Sequence, residues 1–188
     1  MLAIKNYGHF WSRELVDFGQ RGSPGRLLGS TKINSEKDET IDFRNQTGIY
    51  CLYSDNREIV YVGQTGRGNQ RLLSRLRQHS CGPMRDRWQN FSWFGFRSVE
   101  GREISQEADL QSKENVTYAA ALDEIEAVLV QLLEPRLNKQ GPRWSGAEEY
   151  FQWADFDASS LSTLRHEVWV IHENVKRLLE AQGLASEE

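Results

Sequence analysis

Two short runs rich in β-branched and aromatic residues, Gly48 to Tyr53 and Glu58 to Gly63, flank the stretch Ser54-Asp55-Asn56-Arg57. Ser, Asp and Asn favour a tight reversal there, because their side chains hydrogen-bond the local backbone. Runs of this kind joined by four turn-forming residues predict an antiparallel hairpin. If Tyr53 faces Glu58, Tyr50 lies directly across from Tyr61, with Leu52 and Ile59 on the same face. Directly opposed side chains have Cβ atoms ~5 Å apart, so this register sets two phenols side by side. Taken alone, such a pair suits cross-strand packing as well as it suits chemistry.

Beyond the hairpin the elements come in a definite order. Gln64 to Asn69 is a glycine-broken loop, and Gln70 to His79 reads as a helix with Leu72, Leu73 and Leu76 as its apolar stripe. Arg71, Arg75 and His79 recur at every fourth position and form a cationic ridge on that helix. Phe91 to Phe96 reads as a third, buried strand, and Glu100 to Asn115 as a polar, acidic loop. A second helix is expected from Tyr118 to Glu134, stopped by Pro135. Its apolar stripe holds Leu122, Leu129, Val130 and Leu133, with Glu126 in the middle. A carboxylate on a core-facing stripe is costly unless it is paired or binds a cation; a buried arginine partner is the plain structural alternative.

Composition narrows the class. The chain has 188 residues, 38% of them hydrophobic, which suits one medium domain with extensions and argues against disorder throughout. No apolar run approaches the ~20 residues a membrane helix needs, and the first residues lack the layout of a signal peptide, so a cytoplasmic protein is expected. Cys51 falls within the first hairpin strand and reads as a small buried residue. No Cys/His spacing resembles a zinc site. The net charge is −4, yet residues 67–87 carry six arginines against Asp86 alone, leaving a segment of +5 on a body of −9. Such a patch can hold a phosphate backbone; an arginine-rich solvated helix face is the bland alternative.

The half-motifs Thr47-Gly48-Ile49-Tyr50 and Tyr61-Val62-Gly63-Gln64, with the elements after them, resemble the GIY-YIG nuclease family over roughly residues 45–140. Tyr50 and Tyr61 match the tyrosines of the two half-motifs, with valine in place of the isoleucine of the name. Arg75 and His79 fit the family's helical arginine and the histidine four residues later; Arg71 is the rival arginine. Glu126 and Asn138, with Pro135 between them, match the metal-binding glutamate and downstream asparagine. The resemblance implies an α+β fold: a small antiparallel three-stranded central sheet flanked by helices. Residues 1–44 would then be an N-terminal extension, expected from its turn chemistry to hold short strands and loops beside the main sheet. Residues 141–188 would be an aromatic loop (Trp144 to Phe156) and a final helix with an apolar face from Leu161 to Leu179, packing on the core or an oligomer interface.

The resemblance further implies a metal-dependent endonuclease acting on DNA. Tyr50 would activate water, Tyr61 would hold a phosphate oxygen or the water, and Arg75 would stabilise the phosphate. Nearby Arg75, the metal, or His79 taking up its proton would help Tyr50 toward the phenolate, and Glu126 would hold one Mg²⁺ or Mn²⁺. Asn138 would position the metal helix or substrate, while Arg67, Arg71, Arg77, Arg85 and Arg87 would grip flanking phosphates. The substrate's form (branched, nicked or double-stranded) stays open, as do a homodimer and a partner protein supplying specificity. The alternative is a non-catalytic nucleic-acid-binding module that keeps the scaffold.

Overall fold

The computed structural model describes residues 4–32, 35–66, 68–105, 118–134, 140–142, 144 and 146–153. Arg67, Asn138 and the expected C-terminal helix, with His166 and His172, lie outside the described residues. In chain order the elements are β1 (Asn6–Ser12), β2 (Leu28–Ser30), β3 (Ile41–Asp42), β4 (Gly48–Tyr53), β5 (Ile59–Gln64), α1 (Leu72–Cys81), β6 (Asn90–Gly95), β7 (Val99–Glu100), β8 (Glu103–Ile104), α2 (Tyr118–Leu133), β9 (Glu148–Glu149) and β10 (Phe151–Gln152).

The hairpin, α1, the third strand and α2 lie within two residues of where the sequence puts them, in a mixed α+β chain. The sheet is larger than expected. Its order is β5-β4-β6-β1-β9, so the three anticipated strands form one side of a five-stranded sheet. β1 comes from the stretch read as an N-terminal extension, yet it pairs antiparallel with β6, Tyr7 opposite Phe94. β9, from the segment read as an aromatic loop, adds parallel to β1. Neither strand announces itself, because β9 is two residues long and the register of β1 shifts between Gly8 and Trp11. Such a shift breaks the alternation that marks a strand. β10 joins β2 and β3 in a separate small sheet.

Strand alternation sorts the core into two layers. Tyr50 and Leu52 of β4, Phe91 and Trp93 of β6, and Trp11 of β1 pack with Leu72, Leu73 and Leu76 of α1. Phe94 and Tyr7 point to the opposite face, where they meet Ile4, Trp144 and the α2 residues Val128 and Leu132. The two helices therefore cover opposite faces of the sheet. β4, central and covered on both faces, buries Tyr50 through Tyr53 without a break. Cys51 is fully buried and unpaired, and burial pushes its thiol up to about 11.

α2 reverses the expected inside and outside of its helix. Leu122, Leu129 and Leu133 are exposed, with Ile125 beside them, and Glu126 is exposed among them. The sheet takes the side bearing Ala127, which is buried, together with Val128 and Leu132. Both sides of this helix are apolar, so periodicity could not choose. No helix among the described residues is long and apolar enough to cross a membrane.

Two polar devices fix the end of the sheet nearest α1. The buried Gln46 amide donates to Asn6 Oδ1 at 2.7 Å and to the Arg97 carbonyl at 3.0 Å, and accepts from Arg97 N at 3.1 Å. The Gln46 carbonyl receives the first helical N–H, that of Leu72, at 3.0 Å. One residue thus ties β1, β4, β6 and α1 together. Gly48 opens β4 at φ 152°, and a Cβ there would overlap the Phe94 carbonyl, so this position of the first half-motif requires glycine.

Candidate functional site

The hairpin register differs from the simple expectation. Tyr50 pairs with Gly63 and Leu52 with Tyr61, and a shift between Leu52 and Tyr53 sets Tyr53 opposite Ile59. The turn takes up one residue more than expected, pairing Tyr53 with Ile59 and not Glu58, and a bulge in the ladder at Val60 adds the second residue of the slip. A slip of two residues keeps Tyr61 on the same face as Tyr50, one step along the diagonal, while Ile59 moves to the face of Tyr53. The ring centroids of Tyr50 and Tyr61 lie 6.0 Å apart. Gly63 makes this possible. A Cβ there would stand 2.7 Å from Tyr61 Cε1 and overlap the Tyr50 phenol outright. The glycine of the second half-motif is the floor on which the Tyr50 ring rests.

α1 supplies the other side of the cluster. Arg71 is the residue before its first turn, with extended φ −122°, so the helix begins two residues later than expected. Its side chain folds back onto the loop, donating to the Gly68 and Gln70 carbonyls. Arg75 and His79, one turn apart on α1, both face the tyrosines. Tyr50 Oη lies 2.8 Å from His79 Nε2, and the Tyr61 and His79 rings are 4.6 Å apart. Arg75 Nη2 is 3.4 Å from Tyr61 Oη, and its Nη1 donates to Gln78 Oε1 at 2.5 Å. Arg75 Nε is sealed from solvent without a hydrogen-bond partner. Of the two rival arginines, Arg75 is the one brought to the tyrosines.

The electrostatics of this cluster follow from its burial. Tyr50 is fully buried, which pushes its phenol above the usual value; the Arg75 guanidinium beside it pulls the other way. Burial lowers His79 below 6.5, and the charge of Arg75 lowers it further. His79 is therefore neutral near pH 7, and in the tautomer protonated at Nδ1 its Nε2 accepts the Tyr50 proton. Contact with Tyr50, and then Tyr61, raises Arg75 above its ordinary value and holds it as a cation. A cleft of about 450 Å³ opens onto this group, lined by Tyr61, Val62, Gly63, Gln64, Gln70 and Arg75.

The remaining expected residues fall elsewhere. Glu126 stands exposed on α2, across the sheet from the tyrosines, and its neighbour Glu124 accepts from Ile4 N at 2.6 Å. No group of three potential metal ligands exists among the described residues. The cleft that opens onto Tyr61 and Arg75 has no carboxylate in its lining. Glu126, the one side chain that the resemblance assigns to a divalent metal, therefore stands apart from this cluster. Arg77 donates to the Pro24 carbonyl at 2.7 Å, and Arg85 and Arg87 are exposed beyond the end of α1. Gly63 was legible only as part of a motif. Nothing in the sequence revealed its steric role.

No protein-family model, no curated protein and no solved structure matches this chain.

Proposed function

We propose that the chain is a nuclease of the GIY-YIG type that hydrolyses phosphodiester bonds of DNA at the Tyr50–His79–Arg75–Tyr61 cluster. The observation that carries this reading is the 2.8 Å contact between Tyr50 Oη and His79 Nε2, made beside the Arg75 cation. A buried tyrosine can serve as a base only if something removes its proton and something else steadies the phenolate. His79, held neutral, does the first; Arg75 does the second. As the Tyr50 proton passes to His79 Nε2, the phenolate takes a proton from water, and the resulting hydroxide attacks phosphorus. The 3′ oxygen leaves and is protonated from solvent. Arg75 also bears the charge that develops on the phosphate, with the Tyr61 hydroxyl orienting one phosphate oxygen.

Among the described residues no carboxylate lines the cleft to hold the Mg²⁺ or Mn²⁺ that the resemblance implies, so no step of this reaction is assigned to a metal. The proton transfers do not run through it, because Glu126 stands on the far face of the sheet. The experiment is nicking of supercoiled plasmid in Mg²⁺, Mn²⁺ or EDTA by the wild type and by Tyr50→Phe, Arg75→Ala and Glu126→Gln. Nicking abolished in the first two variants supports the reading; nicking that persists in both defeats it. The described arrangement expects Glu126→Gln to cut like the wild type. Loss of metal-dependent nicking in that variant would instead put α2 beside the cluster in the active protein.

A further inference from the structure

One turn before Arg75 lies a second cleft, of about 550 Å³, in which residues far apart in sequence converge. Arg44, Arg71, Arg97 and Arg102 line it, with Asp42 and Glu103 as the acidic members. We propose that this cleft holds a backbone phosphate of the same nucleic-acid strand whose neighbouring phosphate sits at Arg75. The proposal rests on the nuclease reading above and adds to it a strand-holding site built by residues outside the half-motifs.

The charges decide what such a cleft can accept. Asp42 is already engaged: its Oδ1 accepts from Leu27 N and Arg44 N, both at 3.0 Å, and its Oδ2 is 3.3 Å from Arg44 Nε. With that pair set aside, Arg71, Arg97 and Arg102 face Glu103 alone among the described residues. The surplus is two positive charges in a recess, which favours an anion and disfavours any cation. Arg97 shows the same need. Its Nε is sealed from solvent without a partner, while Nη1 reaches the Ser105 carbonyl at 3.3 Å. Burial and then the nearby Arg71 charge lower the Arg97 guanidinium, a tension that an anion between them would relieve. Guanidinium groups also match phosphate oxygens in geometry as a carbonyl does not.

Position decides which phosphate. Arg71 stands four residues before Arg75, about 6 Å along the helix axis. Phosphates of one DNA strand advance ~3.4 Å each along the duplex axis. A strand lying along the start of α1 with one phosphate at Arg75 would therefore bring another, one or two nucleotides away, to this cleft. Arg97 does not drift, because the buried Gln46 amide grips its backbone on both sides.

The test is the salt dependence of binding to a fluorescein-labelled 30-base-pair duplex, read by anisotropy, using full-length wild type, Arg102→Gln and the double variant Arg97→Gln/Arg102→Gln. Each lost phosphate contact flattens the slope of log K against log salt by about 1. Both variants act on the same phosphate, so the expected result is a slope flatter by about 1 in the double variant and by no more than that in the single. Each step should weaken affinity roughly tenfold, as for a charge-assisted hydrogen bond. Arg102 is exposed, so its substitution reads the cleft without risk to the fold. Variants that bind with the wild-type slope, while the wild type still nicks plasmid, would overturn the cleft and leave the nuclease standing. A wild type that neither binds duplex nor nicks plasmid would overturn both. A change seen only with a 5′-phosphorylated duplex would assign the cleft to a strand end and overturn the backbone form of the proposal.

Discussion

At the scale of single residues, the proposed chemistry depends on a proton whose resting place is fixed by burial. Burial makes the Tyr50 phenol resist ionisation, and burial with Arg75 makes the His79 imidazole resist protonation, so the proton rests on Tyr50 and passes to His79 only as attack on the phosphate draws it off. Tyr50→Phe removes one oxygen atom from a full ring and leaves the packing with Leu76 and Trp93 in place. It should lower the rate of plasmid nicking by about 10²–10⁴-fold, the span of general-base effects, with duplex binding retained in the anisotropy assay. Equal loss of binding and cutting would mean that Tyr50 supports the fold and not the reaction. The fixed periods of a hairpin and a helix made it legible that Tyr50 and Tyr61 share a face and that Arg75 and His79 share another, while the resemblance singled these residues out. Their protonation states were not legible, since those depend on which groups the fold seals from water.

At the scale of elements, the hairpin shows how a glycine can be a functional residue without bearing a functional group. Gly63→Ala would drive a methyl group into the Tyr50 ring, and neither β4, pinned between β5 and β6, nor the ring, closed in by His79, has room to yield. Overpacking of this kind costs about 1–3 kcal/mol. We expect Gly63→Ala to lower the unfolding free energy by that amount in urea titration, and to lose most nicking activity even where the protein is fully folded. α2 makes a second element-scale prediction. Its outer residues Leu129 and Leu133 are 49% and 59% exposed, whereas Ala127 is 1% exposed against the sheet. Leu129→Gln/Leu133→Gln should change stability by no more than about 0.5 kcal/mol per site. Ala127→Leu should cost about 1–3 kcal/mol. The reverse ranking in urea melts would mean that the helix is turned the other way, with its Leu129 face inward.

At the scale of the whole molecule, acid should weaken the fold through its buried histidines. Burial lowers both His79 and His9 below the ordinary 6.5. The unfolded chain then binds protons before the folded one does as pH falls through that value, so stability rises with pH in this range. The folded state should have its full stability above about pH 7 and lose it progressively below about 6.5, by at most ~1.4 kcal/mol per pH unit for each histidine. Urea midpoints at pH 7.5, 6.5 and 5.5 check this. His79→Gln should flatten the dependence by about half. An unchanged slope would mean that His79 titrates freely and is not sealed beneath Tyr61. Charge at this scale also tempers binding: the arginine-rich segment is set on an acidic body, so duplex affinity is expected to come from a few placed guanidinium groups rather than from a general field.

The sequence by itself determined the local elements and the order in which reactive residues arrive: a hairpin with a tyrosine on each strand, then a helix offering Arg75 and His79 four residues apart. Those features are set by short-range geometry, the two-residue repeat of strands and the 3.6-residue repeat of helices. Tertiary structure alone decided the rest. The slip that moves Tyr61 from Tyr50 to Leu52, and so opens the place over Gly63, arises from pairing across the sheet. α2 is apolar on two sides, and only its contact with Phe94 and Tyr7 decided that Ala127 goes in and Glu126 stays out. The second arginine cleft draws Arg44, Arg97 and Arg102 from three separate loops to the start of one helix. Such convergence leaves no trace in any single stretch of chain, because the distance along the sequence carries no information about which loops the sheet will fold together.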